Sequence, residues 1–470
     1  MKQRSSMPML FPPDISLPNS ADALIDCVIN SGDLHSAAAV YELAQGEKKK
    51  QLRDLLCEER RNTLLLARWE HTPAAVLQML AEIDDETVRL RLDKNPASRA
   101  GTLNTIYKNS GHDRQLLCLL TQHAHSSSTL LNRLAMSEDD IPILKSIAAH
   151  PNTDANTLMC LEKHYPGMFD NELAVHAETP TELLETLYQR GNCFIRSAVV
   201  SHIRCPEHLL DSAFNETDTT ILRHLAANPR LDSEKLAVLA QHDDVSVLRT
   251  LAGNPSLGAE LANQMIQNSS NSVRRTLASR TDLTAENLQR LVDDDDHWVR
   301  QWVARHPKLP DLLLNQLASD QNDEVRRAVT RNPQTPVDIL RQLAEDSSVW
   351  VRAGVAYQKN TPADVLSTLS EESDVDVLSG VASNPNTPQA ILIRLSGSQQ
   401  TDIRRGVIIN PQAERDTLLP LLEDPYYLHR LLLVSNPALN DNDRWSLHDD
   451  PDLSVRFMVF KWFAQKYLQL

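Results

Sequence analysis

The sequence predicts an all-α fold, an α-solenoid of stacked two-helix repeats. Three observations predict it: prolines at a fixed step, a helix-capping residue at a fixed distance before them, and apolar residues between the two at helical spacing. Pro151, Pro229, Pro255, Pro307, Pro333, Pro385, Pro411 and Pro437 are separated by multiples of 26 residues. Degenerate copies at Ala177, Ile203, Thr281 and Lys359 fill the missing phases, and Pro96 and Glu70 keep the step upstream. The step from Pro96 to His125 is 29, so "IYKNSGHDRQ" carries an insertion. About 15 units follow from this phase. No single unit of this size can bury its own apolar face, so the units must stack.

Within a unit, the capping column holds Asp85, Asp140, Asn192, Asp218, Asp244, Ser270, Asp296, Asn322, Ser348, Asp374 and Asp452. These residue types accept a bond from an orphan amide of the first helical turn. Apolar pairs such as Val299 with Val303 and Val325 with Val329 then place a buried stripe on a short first helix. The helix is expected to end at Asn-Pro, where Asn tolerates a left-handed cap and Pro cannot continue. Thr335-Pro336, Thr361-Pro362 and Thr387-Pro388 are expected to start the second helix, Thr as cap and Pro at the first position. Leu231-Asp232 and Leu283-Thr284 shift that cap by one. Leu314 with Leu317 and Leu340 with Leu343 give the second helix its apolar side. Layers of paired helices are expected about 8–10 Å apart.

The phrase D-x-x-V-R-x-x-V-A-x-N-P-x-T-P-x-x-x-L-x-x-L-A resembles the leucine-rich repeat variant family, short helical units broadly akin to HEAT and armadillo repeats. The resemblance implies a right-handed superhelix whose second helix is often 3₁₀, and a binding scaffold in a bacterial cytoplasm with no reaction attached. The period here is slightly longer than the family's, so a fuller α-helix is expected. Some members carry an N-terminal cysteine cluster for an iron–sulfur centre. Only Cys27 and Cys57 lie in that region, so no cofactor is expected. Three segments are expected: an N-terminal helical cap at 1–58, the repeats at 59–452, and an aromatic C-terminal capping helix at 453–470.

Composition narrows the function. The net charge of −16 opposes nucleic-acid phosphate and anionic lipid unless basic residues are segregated. No uninterrupted apolar run approaches membrane-spanning length. The start MKQR meets Pro8, Pro12 and Pro13 too soon for a signal peptide. Six cysteines without CxxC spacing read as buried free thiols of a cytoplasmic protein. His123 and His125 invite a metal, but His150, His176, His202 and His306 stand where Asn stands elsewhere and read as cap replacements, so no metal is expected. "DDDD" at 293–296 lacks the ligand pattern of a calcium loop. No catalytic constellation stands out.

Two features remain as binding candidates. Arg89, Arg196, Arg274, Arg300, Arg326, Arg352, Arg404, Arg430 and Arg456 share one column. They form either a cationic ladder or helix-surface pairs with the cap acid four residues back, as in Asp296/Arg300, their guanidiniums also able to satisfy carbonyls of an adjacent layer. Trp298, Trp302 and Trp350 break columns that are usually small or polar, as exposed binding residues would. The last helix adds Trp462 and Tyr467, which cannot share the stripe of Val455 and Val459. The expected function is a non-enzymatic protein-binding scaffold or adaptor. Its partner is another protein or a second copy, contacted through Trp298, Trp302, Trp350, Arg300, Arg326, Arg352, Trp462 and Tyr467. A DNA-repair type of nucleic-acid binder using the arginine column and Trp298, Trp302 and Trp350 is the alternative, disfavoured by charge.

Overall fold

The computed structural model describes residues 15–110 and 113–469. The N-terminal prolines and part of the insertion at 111–112 lie outside the described residues. Thirty-four α-helices and one 3₁₀ turn, Leu419–Glu423, make up the described residues, with no strand among them. The chain divides into two compact units. One comprises Met1–Thr153, Val407–Ile409 and Ala413–Leu470; the other comprises Asp154–Gly406 and Asn410–Gln412.

The repeat at Pro333 shows how a unit is built. Asn322 accepts the amide of Glu324 and starts the first helix, Asp323–Thr330. The second helix, Val337–Leu343, is α-helical. Val325, Val329, Leu340 and Leu343 are buried, each contributing about 1.5–3 kcal/mol by leaving water. In the second unit first helices pack directly on first helices from layer to layer, as in His297–Ala304 on Asp323–Thr330 and Val349–Tyr357 on Val375–Ser383. The second helices chiefly contact the first helices beside them, so the first-helix face is the crowded, inner face of that unit.

Two columns act differently from the sequence reading. No described residue other than glycine has positive φ, so Asn of Asn-Pro is not a left-handed cap. Asn332 is fully buried and bridges layers. Its Nδ2 donates to the carbonyls of Ala304 (2.8 Å) and His306 (2.9 Å) in the preceding repeat, while its Oδ1 accepts the Gln334 amide. Asn95, Asn254, Gln358, Asn384 and Asn410 repeat the double bridge. The helix-end carbonyls that lack helical partners are thereby satisfied by the next layer. Thr335 likewise does not cap the second helix. Its hydroxyl donates back to Val329 O (2.6 Å), and Pro336 takes the cap position without a side-chain bond. The hydroxyls of Thr361, Thr387 and Thr153 donate back in the same way, to Val355 O, Val381 O and Ile147 O. The shifted caps Asp232 and Thr284 are in place, accepting the amides of Lys235 and Asn287.

In the first unit the N-terminal segment packs on the last helix, Leu453–Leu468. Helix Leu34–Val40 lies against it, Phe457 meets Trp69 edge-on with centroids 4.6 Å apart, and Trp445 Nε1 donates to Ile15 O. One core position of this unit is anomalous. Asp93 occupies a column that holds Ala67, Ala148 and Ala304 in other repeats. It is 2% exposed and neither carboxylate oxygen has a hydrogen-bond partner among the described residues. Burial pushes its carboxyl up to about 8, against the pull of Lys94.

Two outcomes follow. Asn332→Ala leaves two buried carbonyls unpaired and should cost about 1–3 kcal/mol in chemical denaturation. Asn332→His should cost less than half as much, because His150 already bridges in this way, its Nε2 donating to His123 O while Nδ1 accepts the Asn152 amide. For Asp93 the folded carboxyl stays protonated to about pH 8, whereas the unfolded one ionises near its ordinary value of 3.8. Its contribution therefore falls as pH rises from 4 to 8. Asp93→Ala should raise stability by a few kcal/mol at pH 8 and far less at pH 4, read as melting temperature against pH.

Candidate functional site

The site is built on the inner face of the second unit. Helix His297–Ala304 carries Trp298 and Trp302 one turn apart, and Val349–Tyr357 carries Trp350 two layers on. They are 46%, 41% and 49% exposed. Trp302 does not fill a gap between layers. Its column continues as Ala328, Gly354, Gly380 and Gly406, where first helices approach closely. A Cβ on Gly380 would stand 2.7 Å from Ala356 Cβ, and one on Gly406 2.7 Å from Ala382 Cβ. A column this tight leaves an indole only the outward direction.

Three arginines accompany the rings. The Arg305 guanidinium lies 5.7 Å from the Trp302 ring centroid and that of Arg327 lies 5.3 Å from the Trp350 centroid, both within cation–π range. Arg331 is exposed, and its proton affinity is lowered by burial and then by Arg327 and Arg305. Among the described residues Glu324 is the one acid within ion-pair reach of these three, 3.9 Å from Arg327. Tyr357 continues the line at 53% exposure. Its phenol is pushed up by burial and by Asp376 and Asp402, which mark the acidic side of the cluster. Arg305, Arg331 and Tyr357 share a column that is small at Ala149, Ser201, Ala227, Gly253, Ser279 and Ser383 but large at Arg68, Lys94, Val175 and Ile409, so the column alone does not single them out.

Arg300, Arg326 and Arg352 have a different task from the expected one. They do not pair with the cap acid four residues back. Arg300 reaches Asp320 with Nε at 2.6 Å and Nη2 at 3.0 Å, Arg326 reaches Asp346 at 2.6 and 2.9 Å, and Arg352 reaches Glu372 at 2.9 and 2.9 Å. Each acid lies 20 residues on, at the start of the next layer. The Nη1 atoms close the same chain by donating to the carbonyls of Asp294, Asp320 and Asp346. Arg274 with Asp294 extends it by another layer. The guanidiniums' proton affinity is raised first by these carboxylate bonds. Asp296, the expected partner of Arg300, is held by Arg275 instead. The signal for the true pairing was the acid column Asp294, Asp320, Asp346, Glu372 and Asp450.

Trp462 and Tyr467 belong to the first unit and are half-buried. Arg444 sits 4.4 Å from the Trp462 ring centroid, and Tyr467 OH donates to Pro18 O at 2.6 Å. The chain's own N-terminal segment thus takes part of the expected aromatic surplus.

The remaining polar candidates are engaged in structure. His123 Nε2 donates to Asn95 O, and His125 Nδ1 donates to Ser98 O while its Nε2 accepts Arg99. Burial lowers the His123 proton affinity. In "DDDD", Asp293 accepts Gln316, Asp294 and Asp295 accept Arg274, and Asp296 accepts Arg275. No group of three or more His, Cys, Asp and Glu that could hold a metal occurs among the described residues. All six cysteines are free, but only Cys205 is buried and the other five are half-buried, a correction to the sequence reading. Burial pushes the thiols of Cys27 and Cys205 up to about 11. No helix among the described residues is long and apolar enough to cross a membrane.

Residues 323–348 match the family model for the leucine rich repeat variant. A solved structure described as a leucine-rich repeat variant with a novel repetitive structural motif is 27% identical, with a TM-score of 0.35, over 47% of this chain and 87% of that one. Kap121p is 14% identical, with a TM-score of 0.31, over 94% of this chain and 54% of its own, so the match spans about half of that protein. The Pds5–Scc1 complex gives 12% identity and a TM-score of 0.23, over 94% and 78%. No curated protein matches. The repeat at residues 323–348, with its Asn-Pro bridge and its Thr-Pro turn, matches the leucine rich repeat variant unit, and the described residues on either side of it are helical with no strand.

Proposed function

We propose that the chain is a non-enzymatic protein-binding scaffold whose partner seats on the inner face around Trp298, Trp302 and Trp350. The observation that carries this reading is the outward placement of three tryptophans within three successive layers, in columns that are mostly small or polar in the other repeats, Phe194 and Leu432 being further exceptions. Large rings at 41–49% exposure gain little for folding, yet Trp beside Arg is the composition of energetic centres in protein interfaces. Arg300, Arg326 and Arg352 are left out of the contact, because their donors already bind the next layer. That also weakens the nucleic-acid alternative, which needed the arginine column free to meet phosphates. Trp462 and Tyr467 are left out as well, since Arg444 and Pro18 engage them.

The test is affinity capture with the whole chain and with the Trp298→Ser/Trp302→Ser/Trp350→Ser variant. A protein retained by the wild type should be lost at least tenfold by the variant, with a melting temperature within a few degrees. Equal retention by both would place the contact elsewhere.

A further inference from the structure

We propose that the inner face takes an acidic, extended polypeptide segment, with carboxylates on Arg305, Arg327 and Arg331 and side chains packed against Trp302 and Trp350. This rests on the protein-binding reading and names the class of partner.

Charge selects the occupant. In a chain of net charge −16, arginines are ordinarily consumed by neighbouring acids, as Arg300, Arg326 and Arg352 are. Arg305 and Arg331 have no acid within ion-pair distance among the described residues, and Arg327 has only the long contact to Glu324. Three guanidiniums gathered around one carboxylate are a surplus that an incoming anion relieves. Carboxylates fit these planar donors through paired hydrogen bonds. The rings held under Arg305 and Arg327 supply flat apolar surface beside each charge.

Dimensions set the length. Arg305 and Trp350 belong to layers two apart, about 20 Å at ordinary helix-layer spacing. An extended chain covers that distance in about six residues. Beyond Tyr357 the face carries Asp376 and Asp402, answered by Arg405 alone, so the acids outnumber the cation there and disfavour further extension of an acidic segment.

The test uses fluorescein-labelled octaglutamate, octalysine and a dT octamer, followed by fluorescence anisotropy on the full chain at low and high salt. Saturable octaglutamate binding that weakens with salt is expected, with none for octalysine and weaker binding of the dT octamer. Arg305→Gln/Arg327→Gln/Arg331→Gln should lower octaglutamate affinity at least tenfold. Glu324→Gln should raise it severalfold, a gain that misfolding cannot produce. The proposal is overturned by no saturable binding at millimolar peptide, by unchanged affinity in both variants, or by equal or tighter binding of the dT octamer. If the arginine variant keeps a captured protein that the tryptophan variant loses, protein binding stands and the acidic class fails.

Discussion

Each layer ends a helix against its neighbour, and the carbonyls exposed at that end must find donors that the helix itself cannot supply. Short helices make the problem acute, because a large share of their carbonyls lie in the last turn. The repeat solves it in two directions. Thr335 returns a hydroxyl to Val329 O within the layer, and Asn332 reaches back to Ala304 and His306 in the layer before. Apolar burial of Val325, Val329 and their equivalents drives the stacking, but it is indifferent to small slips. The directional bonds fix the register in which one layer sits on the next.

The arginine–acid chain performs the same service with charge. Asp320 receives the side chain of Arg300 on its carboxylate and that of Arg326 on its carbonyl, so one residue joins two repeats. Asp346 does so for Arg326 and Arg352. In the first unit Arg430 meets Asp450, and Arg456 meets Asp33 of the N-terminal segment at 3.1 Å. Asp33 also caps helix Leu34–Val40, so that helix is tied to the last repeat by the bond that elsewhere ties layer to layer. With the arginine column engaged between layers in this way, Arg305, Arg327, Arg331 and the three tryptophans are conspicuous as residues that take no part in that chain of bonds.

Local features were legible in the sequence and cross-layer ones were misassigned. The caps at Asp244, Asp296, Asn322 and Asp374 accept amides two or three residues away, so a short window contains the whole interaction. Asn332 and Thr335 were each given a local capping role and Arg326 an acid partner four residues back, because a residue's partner is sought first among its neighbours in sequence; only the reach of the guanidinium to carbonyls of an adjacent layer was expected. Their actual partners lie 6, 20, 26 and 28 residues away. The period contains that information, since a bond made between layers repeats at the same separation in every copy. The tryptophans were found because a repeat displays what structure alone requires and so exposes its exceptions. Arg305 and Arg331 stand in a column that also holds Arg68, Lys94, Val175 and Ile409, so no exception marked them. The direction of the surplus aromatics on the last helix was not legible, because Pro18 and Asp33 meet Tyr467 and Arg456 across more than 400 residues of sequence.

The central claim is that the arginine column binds the layers to one another and is not a ligand ladder. A double-mutant cycle on Arg326→Leu and Asp346→Leu, measured by chemical denaturation of the full chain, tests it most directly. The Asp346 carboxyl is pushed up by burial, but bonds from Arg326 and the Ser348 amide more than reverse this and hold it below its ordinary value. The coupling should therefore be present at neutral pH and fade as pH falls through the carboxylate range. The account predicts a coupling energy of about 2–3 kcal/mol at pH 7, with the double variant recovering much of what either single variant loses. A coupling below about 0.5 kcal/mol would be that of a solvent-screened surface pair and would contradict it.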